Sequence, residues 1–431
     1  MTEFKYMSGF GNEFATEAIP GTLPERGNNP QRPAYGLYAE QISGSAFTAP
    51  RSLNRRSWLY RILPSVRHSA FSPFTHAAFD DRGPIVSEGP NQMRWDPTST
   101  LAAQTDFIQG LFPFCENGSA DDGKGLGIYF YAANHNMEDT FFYSADGELM
   151  FVPQDGNMRI ETEMGVLELS PLEIAVIPRG IKFRIMCEGE IRGYLCENHG
   201  QPFVLPELGP IGANGLANPR DFQTPAAHYV DEDGDFKLIC KYGGKLWQAE
   251  IDHNPLNVVG WHGNYAPYKY DLRKFNTINT VSFDHTDPSI FTVLTAPSHQ
   301  KGTANVDFVI FPPRWMVAED TFRPPYFHRN AMSEFMGLIG GVYDGKEGGG
   351  FMPGGASLHN RMSAHGPDAE TVKKAEQSDS APQKIEGAYA FMWESCYPLR
   401  VTKAAYNAET RQRDYHSAWK DIQNRFKPPS K

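Results

Sequence analysis

The sequence predicts a mainly β protein, built from sandwiches, jelly rolls or barrels, with few helices. Three observations carry that expectation. Short runs of β-prone residues recur with turn signals between them. Forty glycines and 33 prolines, about 17% of the chain against a background of roughly 12%, are spread along the whole length and mark many turns. And 431 residues exceed what one ordinary core organises, so two domains of unequal size are expected, a larger one over 1–280 and a smaller one over 281–431.

Taken in order, residues 1–50 are rich in Gly, Pro, Asn and Ala and show no sustained period. They are expected to form an extended arm lying on the protein surface or on a neighbouring subunit. Residues 57–74 suggest a strand broken by Pro64 and Pro73. The stretch 127–185 reads as a run of strands: GIYFYAA and DTFFYSA are aromatic and β-prone. Met158, Ile160 and Thr162 alternate with Arg159, Glu161 and Glu163, as on a half-buried strand. Asp155–Gly156 between two such runs predicts a hairpin. Residues 200–280 read as loop-rich. A second strand-rich region opens near 281 with VSFDHTD, SIFTVLTAP and VDFVIFPPRW. AYAFMWES is expected to be a late buried strand. Tyr415, Trp419, Ile422 and Phe426 form one stripe at helical spacing and predict a docked helix near 408–426.

The net charge of −11 argues against nucleic acid or an anionic membrane as partner and requires local positive groups for any anionic substrate. The first residues show no basic region followed by an apolar core, and no apolar run approaches a membrane span. Cys115, Cys187, Cys196, Cys240 and Cys396 form no CxxC pair and read as free thiols, so a cytoplasmic location is expected.

The chemistry-bearing stretch is 322–368, where His328, Glu334 and His365 sit among aromatic and apolar residues. Two imidazoles and a carboxylate suit Fe(II), Mn(II) or Zn(II), and without a nearby cysteine a Cu(I) or Fe–S site is disfavoured. His328 and Glu334, six apart, would face different sides of a helix or lie about 20 Å apart on a straight strand. A shared ion therefore requires a bend at Arg329–Ser333, where Asn330 tolerates tight conformations. The alternative is a satisfied core histidine and a surface carboxylate, or, for a buried Glu334, a salt bridge to Arg329 or Arg323. His285, in SFDHTDPS, suits an acid or base oriented by a carboxylate, or else an exposed imidazole in an Asx-turn. His359 suits a donor behind the ligands, or a solvent-facing loop histidine. Tyr343, after a glycine pair, suits a hydroxyl offered to a substrate carboxylate, or simple packing.

Several long segments resemble the homogentisate 1,2-dioxygenase family: YMSGFGNEFATEAIPG (6–21), the stretch 37–62, VSFDHTDPSIFTVLTA (281–296), VDFVIFPPRW (306–315) and 322–368. The likeness covers nearly the whole chain. It implies a cupin-like fold with a large N-terminal β-domain and a smaller C-terminal domain that binds Fe(II). It implies that His328, Glu334 and His365 are the iron ligands, that His285 is the catalytic acid/base, and that Tyr343, His359 and His365 meet the substrate. The implied reaction takes homogentisate and O₂ to 4-maleylacetoacetate in tyrosine and phenylalanine breakdown. The implied assembly is a hexamer, a dimer of trimers. Against cupins at large, 146–185 resembles a barrel whose metal-binding histidine is missing, with Lys182–Phe183 after IPRG. His135 and Glu138 remain nearby, but that half is expected to be structural. A dioxygenase for another dihydroxylated aromatic acid, a metal-free cupin and a Zn or Mn isomerase are the rival functions.

Overall fold

The computed structural model describes residues 3–80, 89–343 and 350–429. The fold is mainly β, and among the described residues α-helix is confined to Ala77–Asp80, Ala369–Gln377 and Lys403–Asn407. Ten strands position the site. Leu111–Ser119 (β1), Lys124–Ala133 (β2), Glu148–Asp155 (β3), Glu173–Ile177 (β4) and Ile191–Asn198 (β5) lie in the order β1–β2–β5–β3–β4 within a nine-stranded sheet. Thr292–Pro297 (β6), Ala304–Phe311 (β7), Ser333–Gly340 (β8), Ala356–His359 (β9) and Tyr389–Ser395 (β10) repeat that order as β6–β7–β10–β8–β9 in a six-stranded sheet. The two sheets exchange edges. Met93–Trp95 adds to β9, and Arg400–Val401 adds to β1.

The six-stranded sheet has two unlike faces because side chains alternate along a strand. Phe335 on β8 and Phe391 and Trp393 on β10 are fully buried against the nine-stranded sheet, where Phe130 and Tyr194 meet them. The Tyr194 hydroxyl donates to the Gly355 carbonyl at 2.7 Å, a second tie between the sheets. The intervening residues, Glu334, Met336, Met392 and Glu394, face the other way into a cavity. A separate aromatic core fills the N-terminal half, with Phe107, Phe142, Phe151 and Phe183 in edge and tilted contact.

Several expectations change here. The arm over 1–50 is extended but is built into this chain's own sheets: Tyr6–Ser8, Phe14–Glu17 and Tyr38–Ser43 pair with Phe222–Pro225, Val258–Gly263 and Arg56–Arg61. Asp155–Gly156 does not close a hairpin. Gly156, at φ 76°, carries the chain out of the nine-stranded sheet, and Met158–Thr162 pairs with Gly165–Leu169 and Phe183–Cys187 in another. Residues 200–280 are not mainly loop, because Asp233–Tyr242 and Lys245–His253 form a long hairpin. Its turn, Gly243–Gly244, has positive φ at both positions, the combination a tight hairpin requires. VSFDHTD is not a strand: Asp284 sits at φ 69°, Val281 and Phe283 are exposed, and Asp287 caps the 3-10 turn Pro288–Phe291 by accepting from Ser289 N–H. The tail is not a helix over 408–426. Only Tyr415–Trp419 forms a 3-10 turn, because Tyr415 finds a buried seat while Ile422 and Phe426 find none.

Glu148 opens β3 and is buried, accepting from Asn198 Nδ2 at 3.0 Å and Phe203 N–H at 2.6 Å. Burial outweighs these bonds and pushes its carboxyl up to about 7. The folded state thus holds a proton that the unfolded chain releases at lower pH. Stability is full below the ordinary carboxylate range and falls as pH rises through about 7, by about 3 kcal/mol in total. Glu148→Gln, which keeps an acceptor for both donors, is expected to melt progressively higher than the parent between pH 5 and pH 8. A pH-independent difference in melting temperature would contradict this.

Candidate metal centre

The bend required between His328 and Glu334 is made by Asn330. Its Oδ1 accepts from Met332 N–H at 2.7 Å, an Asx-turn that swings the chain from the His328 segment into β8. His365, 37 residues after His328, returns beside it. The two backbones pair as an isolated bridge, with N–H to carbonyl distances of 3.0 and 3.1 Å. Glu334, the second residue of β8, points to the cavity side of the sheet.

These three side chains converge, and their donor atoms lie within 4.8 Å of one another. Glu334 Oε2 is 3.0 Å from His365 Nε2, and Oε1 is 3.5 Å from His328 Nε2. Each ligand-type histidine is oriented from behind: His328 Nδ1 lies 2.7 Å from the Tyr326 carbonyl and His365 Nδ1 2.8 Å from the Ser363 carbonyl. A carbonyl accepts only, so each Nδ1 carries a hydrogen: the protonated ring donates from Nε2 to Glu334, and the neutral ring has its lone pair at Nε2, towards the cavity. Burial pushes the Glu334 carboxyl up, but the bonds to His328 and His365 outweigh it and hold the group well below the usual carboxylate range. The Glu334 bond in turn raises the His328 pKa against burial. A carboxylate buried between two imidazoles that, when neutral, offer Nε2 lone pairs beside it is a donor set that fits a divalent cation with open positions.

His359 pairs with Glu334 across β9 and β8, and its ring stacks on His365 at 4.1 Å with planes 7° apart. Its Nε2 meets the Tyr415 hydroxyl at 3.1 Å and its Nδ1 is 3.9 Å from Glu334 Oε2. The Arg94 guanidinium lies 3.9 Å over the Tyr415 ring, so the C-terminal segment closes the back of the site. The cavity, about 570 Å³, is bordered by His285, Tyr343, His359 and all three converging residues. Tyr343 is buried, its ring edge-on to Phe311 at 5.7 Å. His285 stands 6.2 Å from the Phe291 ring, with Nδ1 2.5 Å from the Thr286 carbonyl, outside the group of converging donors. Residues 344–349 of the glycine-rich loop lie outside the described residues.

Sequence reasoning missed two acids on the cavity floor. Asp307 on β7 and Glu394 on β10 stand in one row with Glu334, since the sheet register opposes Asp307 to Glu394 and Glu394 to Glu334. Burial, with the Glu334 charge adding to it, pushes Glu394 up to about 7, and burial raises Asp307. The signal was present: each is a lone acid in an apolar strand, VDFVIF and AFMWES, as Glu334 is in AMSEFMGLI. The same register in the N-terminal sheet sets Glu148 opposite Asn198, and extending the β3–β4 pairing by one residue puts Pro178 where β9 has His359. His135 there is exposed, and among the described residues His328, Glu334 and His365 are the only converging metal-type group.

A family model described as the homogentisate 1,2-dioxygenase N-terminal region matches residues 5–272, and one described as the C-terminal region matches 273–426. Solved structures similar to the chain include protein YlbA from E. coli, at 11% identity over 73% of this chain and 95% of that one, TM-score 0.31. A point mutant of oxalate decarboxylase OxdC from Bacillus subtilis aligns at 10% identity over 74% of this chain and 78% of that one, TM-score 0.27. Superpositions this loose say nothing about the site.

Removing a partner behind a metal ligand typically costs roughly 10–100-fold in affinity, so loss of a ligand itself is expected to cost more than about 100-fold. Glu334→Ala and His365→Ala should each emerge from anaerobic metal loading and desalting without metal, while the parent keeps a single equivalent. Elemental analysis reads the result, and variants that retain the parent's metal content would remove both residues from the site.

Proposed function

The chain belongs to the homogentisate 1,2-dioxygenase family, and from that premise we propose how its residues carry the reaction. The enzyme is a ring-cleaving dioxygenase that converts homogentisate and O₂ to 4-maleylacetoacetate, a step in tyrosine and phenylalanine breakdown. The observation that carries the residue assignment is the convergence of the His328, Glu334 and His365 donor atoms within 4.8 Å. On this reading these residues hold Fe(II). The ion, when bound, supplies open positions for the substrate and O₂ and a path for electrons between them.

The remaining roles fall to the cavity wall. Val309, Met336 and Met392 are one step along their strands from the acid row, and all three border the cavity. They offer an apolar bed for the aromatic ring. Asp307, Glu394 and Glu334 occupy the neighbouring row, and the acetate carboxylate is placed away from it, toward the Tyr343 hydroxyl. His359 and His365 border the ring. Holding the reactants in one orientation makes their encounter effectively intramolecular. His285 removes the phenolic proton. Its Nδ1 hydrogen is engaged by the Thr286 carbonyl, which leaves Nε2 as the basic atom.

Every one of these residues lies in 281–431, so catalysis is assigned to that part and a supporting role to 1–280. The exchanged edge strands mean that separately expressed halves would each lack a strand of their sheet. The protein is assigned as a homo-oligomer, a hexamer built as a dimer of trimers. Exposed Phe283, Trp315, Tyr326 and Phe327 support burial against another copy. No described helix is long and apolar enough to cross a membrane, and all five cysteines are free thiols, which suits a cytoplasmic location.

Fe(II)-loaded protein is expected to consume O₂ with homogentisate far faster than with gentisate; faster uptake with gentisate would overturn the substrate assignment. His285→Ala should lower kcat by on the order of 10²–10⁴ with metal content unchanged. Loss of iron in that variant would contradict its role as acid/base.

A further inference from the structure

Adjacent like charges on neighbouring strands destabilise a sheet, yet Glu334 and Glu394 stand directly opposite each other on β8 and β10. Asn330 is the group that reconciles them. Its Oδ1 is taken by Met332 N–H, which fixes the amide so that its NH₂ faces the acids. Nδ2 then donates to Glu334 Oε1 at 2.9 Å and to Glu394 Oε1 at 2.6 Å. Both hydrogens are used, and the amide bridges two carboxyl groups.

This bridge bears on how Glu334 can bind a cation. Oε2 faces His365 Nε2 at 3.0 Å and is turned to the centre of the site. Oε1 lies 3.5 Å from His328 Nε2, close enough to join the ligand set if nothing else held it. A carboxylate free to use both oxygens would occupy one more coordination position, at the expense of a substrate that needs it. We propose that Asn330, braced by Glu394, is a positioning residue that ties back Oε1 and confines Glu334 to one-oxygen ligation, so that a position stays open for the substrate. The inference rests on the reading of His328, Glu334 and His365 as a metal site.

The test compares full-length parent, Asn330→Ala, Asn330→Asp and Glu394→Gln, each loaded anaerobically with Co(II), whose visible absorption weakens as coordination number rises. Asn330→Asp is nearly isosteric and keeps the acceptor for Met332 N–H, so a folding defect in the alanine variant leaves the test intact. Melting curves check each protein. Both Asn330 variants are expected to bind one equivalent of Co(II) with weakened visible bands. Their Fe(II) forms should show KM for homogentisate raised about tenfold or more, with a smaller change in kcat. Glu394→Gln, whose amide oxygen still accepts from Asn330, should keep the parental spectrum. Parental spectrum and KM in folded Asn330→Ala and Asn330→Asp would overturn the proposal. A parent that binds no Co(II) would instead overturn the metal site on which it rests.

Discussion

The site depends on which face of the six-stranded sheet is pinned. Phe335, Phe391 and Trp393 are buried between the two main sheets, each worth about 2–3 kcal/mol by burial alone. Because side chains alternate, fixing these residues inward fixes Glu334, Met336, Met392 and Glu394 outward, into the cavity. A one-residue slip of β8 would drive Glu334 into an aromatic core and expose Phe335, so register and site are set by the same contacts. The N-terminal half carries none of the roles assigned above: it is the wall against which the floor of the cavity is held.

Burying acids on that floor is costly unless each finds a partner. The two related sheets answer this differently. In the N-terminal one, Glu148 is met by Asn198 and a backbone N–H, and nearby Glu197 is bound by Lys241 at 2.7 Å, with Tyr129 also donating to it. Those acids are bonded within their own half of the chain. In the C-terminal one, Glu334 faces imidazoles that are themselves oriented by carbonyls and offer lone pairs. That leaves a demand for positive charge which a divalent ion meets, and for which a lysine would be a closed solution. The same sheet order therefore supports a filled core in one half and an open site in the other.

Much of this was legible in the sequence. The strands β2, β3, β7 and β10 follow from aromatic and β-prone runs between turn signals, and the bend at Asn330 follows from the impossibility of joining His328 and Glu334 on any regular element. What escaped was long-range. Asp155–Gly156 has the chemistry of a hairpin turn, yet its strands go to different sheets, a choice made by partners far away in sequence. The stripe from Tyr415 to Phe426 has helical spacing, but only Tyr415, between Arg94 and His359, and Trp419, bonded to the Gly366 carbonyl, find seats, so the tail follows those contacts and not its own period. Asp307 and Glu394 each carry a local signal, a lone acid in an apolar strand, but only the sheet register puts them in one row with Glu334.

The most direct test is diffraction at the iron absorption edge from crystals grown with Fe(II) under anaerobic conditions. The account predicts a single strong anomalous peak per chain, within bonding distance of His328 Nε2, His365 Nε2 and Glu334 Oε2, on the cavity side of β8. A peak elsewhere in the chain, or none in fully loaded protein, would contradict it.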